Sequence, residues 1–498
     1  MDLFHLILAV LPFIVFSLLL IFHHKASLLK ISLITLVVNT IIAIIFWQTS
    51  ILTISSSTIK GFFIALDIFF IIFGAIFFLE ILKSNKTIDN LSLYLDHFSP
   101  DFRIQVVILA WFFECFLEGI AGFGTPCIVV APLLVALGIS PLKAIVISLL
   151  GNSTSVPFGA VGTPIRVGFA GINVDLLSVG SLSSIYNFVG ILVPVFMIWV
   201  LVSSEKNRKS LFLKSLPFAI WSGIAFVFPS FLVSLFGIEF PAILGSVLGL
   251  ILIMFTSHFG FLVPDQLYKS SKKITEKINL TLFQTIFPYL LFIILLIISK
   301  IFLSPIKIQI PYISHSISLF NPGFVFVFSG IIMAIILKIN LKNLISIVVM
   351  ALKKSIEPFL VVAAMSTVVQ IMNNSSNPAL NLPSITKTIS YLFDTKLLPF
   401  IAPFVGAFGS FITGSATVSD IMFGNPIYSS SISQNLNPIK ILSLLVVGAG
   451  AGNMIAIADV LAAKTIAGGN DSLRKIVFNL FPYCLTYLII VGILGILI

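Results

Sequence analysis

Charged side chains are scarce in this chain: Asp, Glu, Lys and Arg make up 9% of its 498 residues, while 58% are hydrophobic. In a soluble domain roughly a quarter of the residues are charged, so this scarcity excludes a soluble globular enzyme. At about 20 residues for each membrane-spanning helix, the apolar runs leave room for about 12–14 spans. The sequence therefore predicts an all-α integral membrane protein that forms one polytopic domain over residues 1–498.

Cysteine and histidine are also rare, with three and six residues respectively. Cys115, Cys127 and Cys484 are scattered through apolar runs, which favours neither a disulfide framework nor a metal site. The sequence also lacks a phosphate-binding loop of the Walker type and the HExxH and GxSxG motifs of hydrolases. These absences predict no metal and no cofactor, and they leave an ion gradient as the energy source for active transport.

Acidic residues are fewer than basic ones: the chain has 18 Asp and Glu and 28 Lys and Arg, which gives a formal net charge of +10. The basic residues lie in short loops beside apolar runs, as the positive-inside rule describes, so the expected partner is the lipid bilayer and not nucleic acid. The rule places both termini outside the cell. The helix that leads into Glu118 then starts on the cytoplasmic side, and the apolar run 397–412 starts outside.

The most informative stretch is F-L-E-G-I-A-G-F-G-T-P at residues 116–126, where a carboxylate, three glycines and a proline interrupt an apolar run. Broken helix at membrane depth is tolerated only where protein or an aqueous cavity supplies hydrogen-bond partners. An intramembrane carboxylate such as Glu118 is costly and indicates a functional site. Glu114 lies one turn earlier, so the two carboxylates share a helix face and favour sharing of a proton. The stretch predicts a solute pathway in which Glu118 is a proton-coupling or site-organising residue.

A second polar stretch, G-N-S-T-S-V-P-F-G-A-V-G-T-P at residues 151–164, interrupts another apolar run. Successive backbone N–H groups at the start of a half-helix form an anion cradle, and the helix dipole adds positive potential. Such a cradle suits a carboxylate substrate. The alternative is close helix packing through small residues, which membrane helices use widely. These two stretches predict substrate contacts from Gly122, Gly124, Thr125, Asn152 and Ser153.

Two similar polar stretches occur late in the chain, at residues 409–420 and 448–459. Their backbone, hydroxyl and amide groups predict substrate contacts from Gly414, Ser415, Thr417 and Asn453. Asp420 and Asp459 are candidate proton or cation sites. The alternative for each aspartate is a polar group that neighbouring backbone satisfies.

The early and late stretches resemble each other in spacing. The matching sets are Phe116, Gly122 and Thr125 with Phe408, Gly414 and Thr417, and Pro141, Lys143 and Gly151 with Pro438, Lys440 and Gly448. Because the two regions enter the membrane from opposite sides, they predict two inverted repeats, at 61–257 and 322–498, each with a re-entrant or broken helix. Folds of this kind place the substrate near the membrane midplane.

On these motifs the chain resembles the L-lactate permease family of bacterial secondary carriers. The segments that carry the resemblance are 99–105, 116–126, 152–165, 414–423 and 450–454. The resemblance implies a multi-pass protein of the bacterial cytoplasmic (inner) membrane that imports L-lactate, or a similar 2-hydroxy monocarboxylate such as glycolate, by proton symport. Departures from the common family pattern fall at the predicted site, at Arg166, Ala416, Asp420, Asn453 and the pair Ala458 and Asp459.

Other functions stay open from the sequence. Arg166 favours a carrier of the same architecture for another organic anion, such as a dicarboxylate, and coupling to sodium is an alternative to coupling to protons. An intramembrane enzyme would use Glu118 and the aspartates as acid and base, but the sequence offers no nucleophile–base pair, so an enzyme is not predicted. The oligomeric state and the roles of Arg166 and Asp67 are not determined by the sequence.

Overall fold

The computed structural model describes residues 3–22, 27–87, 90, 94, 99–122, 124–269, 280–303, 307–309, 316–318, 320–468 and 471–498. Nearly all of these residues are helical. Strands β1 (Lys307–Gln309) and β2 (Ser316–Ser318) pair as one antiparallel ribbon. The helices are α1 (Leu3–Phe22), α2 (Leu28–Ile45), α3 (Ile51–Ser84), α4 (Phe102–Ala121), α5 (Thr125–Ala136), α6 (Pro141–Asn152), α7 (Gly159–Gly168), α8 (Leu176–Val202), α9 (Arg208–Ser234), α10 (Pro241–His258), α11 (Leu282–Leu303), α12 (Pro322–Ile336), α13 (Leu341–Asn373), α14 (Ile385–Ser390), α15 (Leu398–Thr413), α16 (Ala416–Ser433), α17 (Pro438–Asn453), α18 (Ile457–Ala467) and α19 (Leu473–Leu497).

Many of these helices are long and apolar enough to cross a membrane. Within the described part of the chain there are nine such helices, counting 438–467 as one, and eleven if each of two bent pairs also counts as one span. The bent pairs are α6 with the segment 156–168, at 58°, and the segment 385–393 with α15, at 119°. The predicted class, an all-α multi-pass membrane protein with broken helices, is confirmed.

The chain divides into two compact units, and each unit combines one early and one late segment of the sequence. The first unit comprises Met1–Tyr94 and Glu276–Ile385, and the second comprises Leu95–Thr275 and Thr386–Ile498. These units do not coincide with the segments 61–257 and 322–498, so the inverted repeats stay a prediction.

The first unit is built around the long helices α3 and α13. Ser50 caps α3 by accepting a hydrogen bond from the backbone N–H of Thr53. Gly61 allows the two helices to touch, because a Cβ there would lie 2.5 Å from Thr367 Oγ1. Farther along, Lys354 Nζ donates to Glu80 Oε1 at 2.7 Å. The Asp67 side chain, whose role the sequence left undetermined, lies outside the described residues.

The second unit contains every break that the sequence predicts. Helix α4 ends at Gly122, whose positive φ of 56° a glycine adopts without strain, and α5 begins after Gly124. Helix α15 ends at Gly414, with a φ of 68°, and the Ser415 hydroxyl caps α16 by accepting from the N–H of Val418. Both interruptions therefore expose helix ends inside one unit.

A third break lies within the first residues of α7 and includes two residues other than glycine. Ala160 and Val161 adopt positive φ angles of 41° and 54°, and Gly162 completes the left-handed turn at 79°. The left-handed conformation costs roughly 1–2 kcal/mol for each non-glycine residue. Gly162 also lies close to the loop before α10, since a Cβ there would be 2.6 Å from the Ile238 carbonyl oxygen. Only glycine therefore fits at position 162, both for its backbone conformation and for its closeness to this loop.

A buried ion pair holds the start of α4. Arg103 and Asp101 are 0% and 1% exposed, and Arg103 Nη2 lies 2.6 Å from Asp101 Oδ2. The guanidinium also donates to Ser215 Oγ on α9 at 2.8 Å and to the Gln266 carbonyl at 2.5 Å. The Tyr268 N–H donates to Asp101 Oδ2 at 3.1 Å. The pair therefore joins α4 and α9 to the segment that follows α10.

Candidate functional site

The helix breaks of the second unit surround one cavity of about 310 Å3, including its opening. The residues that line it are Glu118, Gly122, Gly124, Val156, Gly159, Ala160, Thr163, Pro164, Gly414, Ser415, Ala416, Thr417 and Asn453. The early break at 122–124 and the late break at 414–417 thus contribute to the same space. Six residues of the predicted substrate site lie on it, namely Gly122, Gly124, Gly414, Ser415, Thr417 and Asn453.

Glu118 lines the cavity although its side chain is 3% exposed. The Asn152 side chain at the end of α6 lies against this carboxyl, and Asp459 acts on it electrostatically. The Oε2 atom has no hydrogen-bond partner among the residues that the structure describes. Gly159 makes room for the carboxyl, since a Cβ there would lie 2.3 Å from Glu118 Oε1.

Asp459 stands in the first turn of α18 and reaches the early break. A Cβ on Gly124 would lie 2.4 Å from Asp459 Oδ1, so the carboxyl sits directly behind that glycine. The Asn453 side chain contacts Asp459. Ser410 Oγ donates to Asn453 Oδ1 at 3.2 Å, which leaves the amide N–H groups of Asn453 for the carboxyl. Asn152, the last residue of α6, therefore lies beside Glu118, and Asn453, the last residue of α17, lies beside Asp459.

Asp420 is completely buried in α16 but does not line the cavity. Neither of its carboxyl oxygens has a hydrogen-bond partner in the described part of the chain. Its Cβ packs against Gly168 at the end of α7. Because an unpaired buried charge is strongly unfavourable, this environment favours the protonated, neutral acid.

Two other predicted residues of the early stretches do not line the cavity. Ser153 Oγ donates to the Leu150 carbonyl at 2.7 Å. Asn152 lies outside the lining, beside Glu118. Thr125 begins α5, and its side chain lies outside the described residues. Thr417 lines the cavity in the first turn of α16.

Arg166 forms an ion pair with Glu239, which the sequence analysis did not anticipate. Glu239 is 1% exposed and belongs to the loop before α10, while Arg166 is 18% exposed. Arg166 does not line the cavity. Its partner could not be recognised from the sequence, because 73 residues separate the two.

Other functional candidates also emerge only in three dimensions. Ser148 Oγ donates to Glu114 Oε1 at 2.7 Å, one turn from Asn152 and Glu118. Val156, Gly159, Ala160, Thr163 and Pro164 line the cavity without having been predicted as contacts, although they belong to the polar stretch 151–164. No group of three or more His, Cys, Asp or Glu suited to a metal ion occurs within the described ranges. The donors around the cavity are backbone, hydroxyl and amide groups with carboxyls beside them.

Comparison with known proteins gives matches along the chain. The sequence profile of the L-lactate permease family matches residues 5–310 and 303–498. An L-lactate permease of Streptococcus iniae is 29% identical over 398 residues, which cover 74% of this chain and 79% of the relative. An L-lactate permease of Escherichia coli K12 is 24% identical over 509 residues, covering 92% and 90%. A glycolate permease of the same strain is 24% identical over 519 residues, covering 93% and 90%.

Proposed function

Since this chain belongs to the L-lactate permease family, we propose that it imports L-lactate, or a similar 2-hydroxy monocarboxylate such as glycolate, together with protons. The family and the apolar helices make it a multi-pass protein of a bacterial inner membrane and a transporter. The proposal adds the substrate, the coupling ion and the residues that bind them.

The observation that carries the proposal is that two helix breaks and the Glu118 carboxyl line the same cavity. The first N–H groups of a helix lack partners within the helix. In α16 the Ser415 hydroxyl caps the N–H of Val418, which leaves the N–H groups of Ala416 and Thr417 as donors at the cavity. The positive end of the helix dipole adds to their attraction for a carboxylate. The hydroxyl of Thr417 and the amide of Asn453 suit the 2-hydroxyl group.

Coupling to protons is expected because the proposed binding site of the substrate carboxylate lies beside buried acidic side chains. Glu118 lines the cavity, and Asp459 lies behind Gly124. An anion bound there would be repelled by ionised carboxyls in a poorly solvated site. A proton on one of them removes the repulsion, so the anion and the proton bind together. Asp420 is the third proposed proton-binding carboxyl, because neither of its buried carboxyl oxygens has a hydrogen-bond partner among the described residues.

Of the two alternatives that the sequence left open, a dicarboxylate substrate loses its support and sodium coupling keeps it. Arg166 was the feature that favoured a dicarboxylate, but its guanidinium pairs with Glu239 and lies outside the cavity lining. Sodium coupling would use the same carboxyls with backbone carbonyl groups, so the choice between sodium and protons is an outcome of the experiment.

The test is uptake of labelled L-lactate into proteoliposomes that contain the purified protein. We expect uptake to rise as the external pH falls, to persist when choline replaces sodium, and to lose its accumulation when a proton ionophore is added. Unlabelled glycolate should compete, and a dicarboxylate such as succinate should not. Uptake that is independent of pH and stops in choline would reject proton coupling in favour of sodium. Absence of uptake for every 2-hydroxy acid would reject the substrate class.

A further inference from the structure

Four of the residues that line the cavity are apolar. They are Val156, Ala160, Pro164 and Ala416, and we call them the apolar wall. Val156, Ala160 and Ala416 are 3%, 2% and 4% exposed, so only a small part of each faces the open space. The other lining residues are glycines or carry hydroxyl, amide or carboxyl groups.

The apolar wall is supported from behind by α17. Val156 and Ala416 pack with the completely buried Ala449 in one cluster. Pro157, the neighbour of Val156, lies so near α17 that a Cβ on Gly450 would be 2.8 Å from its Cδ. Since Val156 and Ala416 are packed against α17, their side chains fix the space that the cavity has next to them.

A 2-hydroxy acid carries a carboxylate, a hydroxyl and one further substituent on the same carbon. The proposed function assigns the carboxylate to the start of α16 and the hydroxyl to polar groups, which leaves the third substituent for the remaining surface. We propose that the apolar wall receives this 2-substituent and that the side chains at 156 and 416 set the size that is accepted. The inference rests on the proposed function, because it concerns the same cavity and substrate.

The expected selectivity follows from the size of the third substituent. Glycolate has a hydrogen at this position, lactate a methyl group and 2-hydroxybutyrate an ethyl group, so each step adds one carbon. A methyl group that covers the wall removes apolar surface from water, whereas glycolate leaves that surface wet. One methylene in a hydrophobic pocket changes selectivity by roughly 10–200-fold. The unaltered protein should therefore transport lactate in preference to glycolate.

The test measures uptake of the three acids in the full-length protein and two variants that change the wall in opposite directions. Ala416→Val fills the space, and the ratio of lactate to glycolate uptake should fall roughly tenfold or more. Val156→Ala enlarges the space, and the ratio of 2-hydroxybutyrate to lactate uptake should rise by roughly the same factor. Ratios within one variant are independent of how much protein folds.

The matched control is Ala219→Val, an equal change at a completely buried position on α9 outside the cavity lining. Its ratios should equal those of the unaltered protein. Ratios that stay constant in both wall variants, or that shift equally in the control, would overturn the inference while leaving lactate transport established. Failure of the unaltered protein to take up any of the three acids would overturn the proposed function and, with it, the inference.

Discussion

Glu118 has the Asn152 side chain on one side and the cavity on the other, so its carboxyl can respond to an anion bound in the cavity. Glu118→Gln keeps the shape of the side chain and removes the titrating proton. We expect this variant to exchange labelled for unlabelled lactate across the membrane at a rate near normal, because exchange moves no net proton. Uphill accumulation driven by a pH gradient should be abolished. Both quantities are measured in the same proteoliposomes.

The control for this variant is Glu357→Gln, the same replacement at an exposed position of α13 in the first unit. It should accumulate lactate normally. If Glu118→Gln also accumulates lactate to the normal level, Glu118 has no part in coupling. Loss of exchange together with accumulation would instead indicate that the carboxyl holds the cavity in shape.

Gly159 offers a second prediction, because its missing side chain is the space that Glu118 occupies. Gly159→Ala would place a Cβ 2.3 Å from Glu118 Oε1 and displace the carboxyl. Overpacking of this kind costs about 1–3 kcal/mol of folding stability, and a displaced Glu118 carboxyl no longer occupies its place at the cavity, so lactate uptake should fall. Adding Glu118→Asp shortens the acid and should restore part of the uptake relative to Gly159→Ala alone. A double variant no better than Gly159→Ala would mean that the two residues do not meet.

The sequence identified individual polar residues at the site better than it identified their partners. Glu118 and the glycines at 122, 124 and 414 stood out because polar and helix-breaking residues are rare in an apolar run. The electrostatic interaction of Glu118 with Asp459 and the ion pair of Arg166 with Glu239 join positions far apart in the chain. Spacing carries no information about such contacts. Asp420 looked equivalent to Asp459 in the sequence, but only Asp459 reaches a break.

Among the elements, the broken helices were predictable and their internal geometry was not. Glycine and proline within residues 116–126 and 409–420 interrupt helical periodicity, and the structure has breaks in both stretches. The left-handed turn at Ala160 and Val161 gave no local signal, because neither residue favours positive φ. The π-helical segment Ile108–Phe113 within α4 was likewise not predicted from the sequence.

The ion pair at the start of α4 gives a prediction for stability. Asp101→Ala would leave the completely buried guanidinium of Arg103 without its carboxylate, which costs about 3–5 kcal/mol. The thermal midpoint of the purified protein in detergent should therefore drop markedly for Asp101→Ala.

Near this ion pair, burial and the Glu205 carboxylate raise the pKa of Tyr268 to about 12. Its hydroxyl therefore stays protonated and donates to Glu205 Oε1 at 2.9 Å.

The comparison variant is Asp471→Ala, which breaks the more exposed pair of Asp471 and Lys475 at the start of α19. Exposed pairs contribute about 0–1 kcal/mol, so its thermal midpoint should stay close to that of the unaltered protein. Equal shifts in the two variants would show that the buried pair does not stabilise α4.

All residues that line the cavity belong to the second unit.

The orientation of the protein in the membrane is predicted by the positive-inside rule, which places Lys206 in the cytoplasm and Asn381 outside. Both positions are exposed, and Cys115, Cys127 and Cys484 are buried. A membrane-impermeant maleimide applied to intact cells should therefore label Asn381→Cys and spare Lys206→Cys. Opening the cells should make Lys206→Cys reactive, and the reverse pattern would invert the topology.

The order of synthesis gives the divided second unit a further consequence. The ribosome delivers Glu118 and the 151–164 stretch early, then the whole second segment of the first unit, and only afterwards the helices that carry Gly414 and Asn453. A chain that has been translated as far as residue 385 holds an acid in the membrane but lacks the late half of the cavity lining. Under the proposed function, such an unfinished copy lacks the groups at the start of α16 that would bind the anion, so it should not transport lactate before α15–α17 have been inserted.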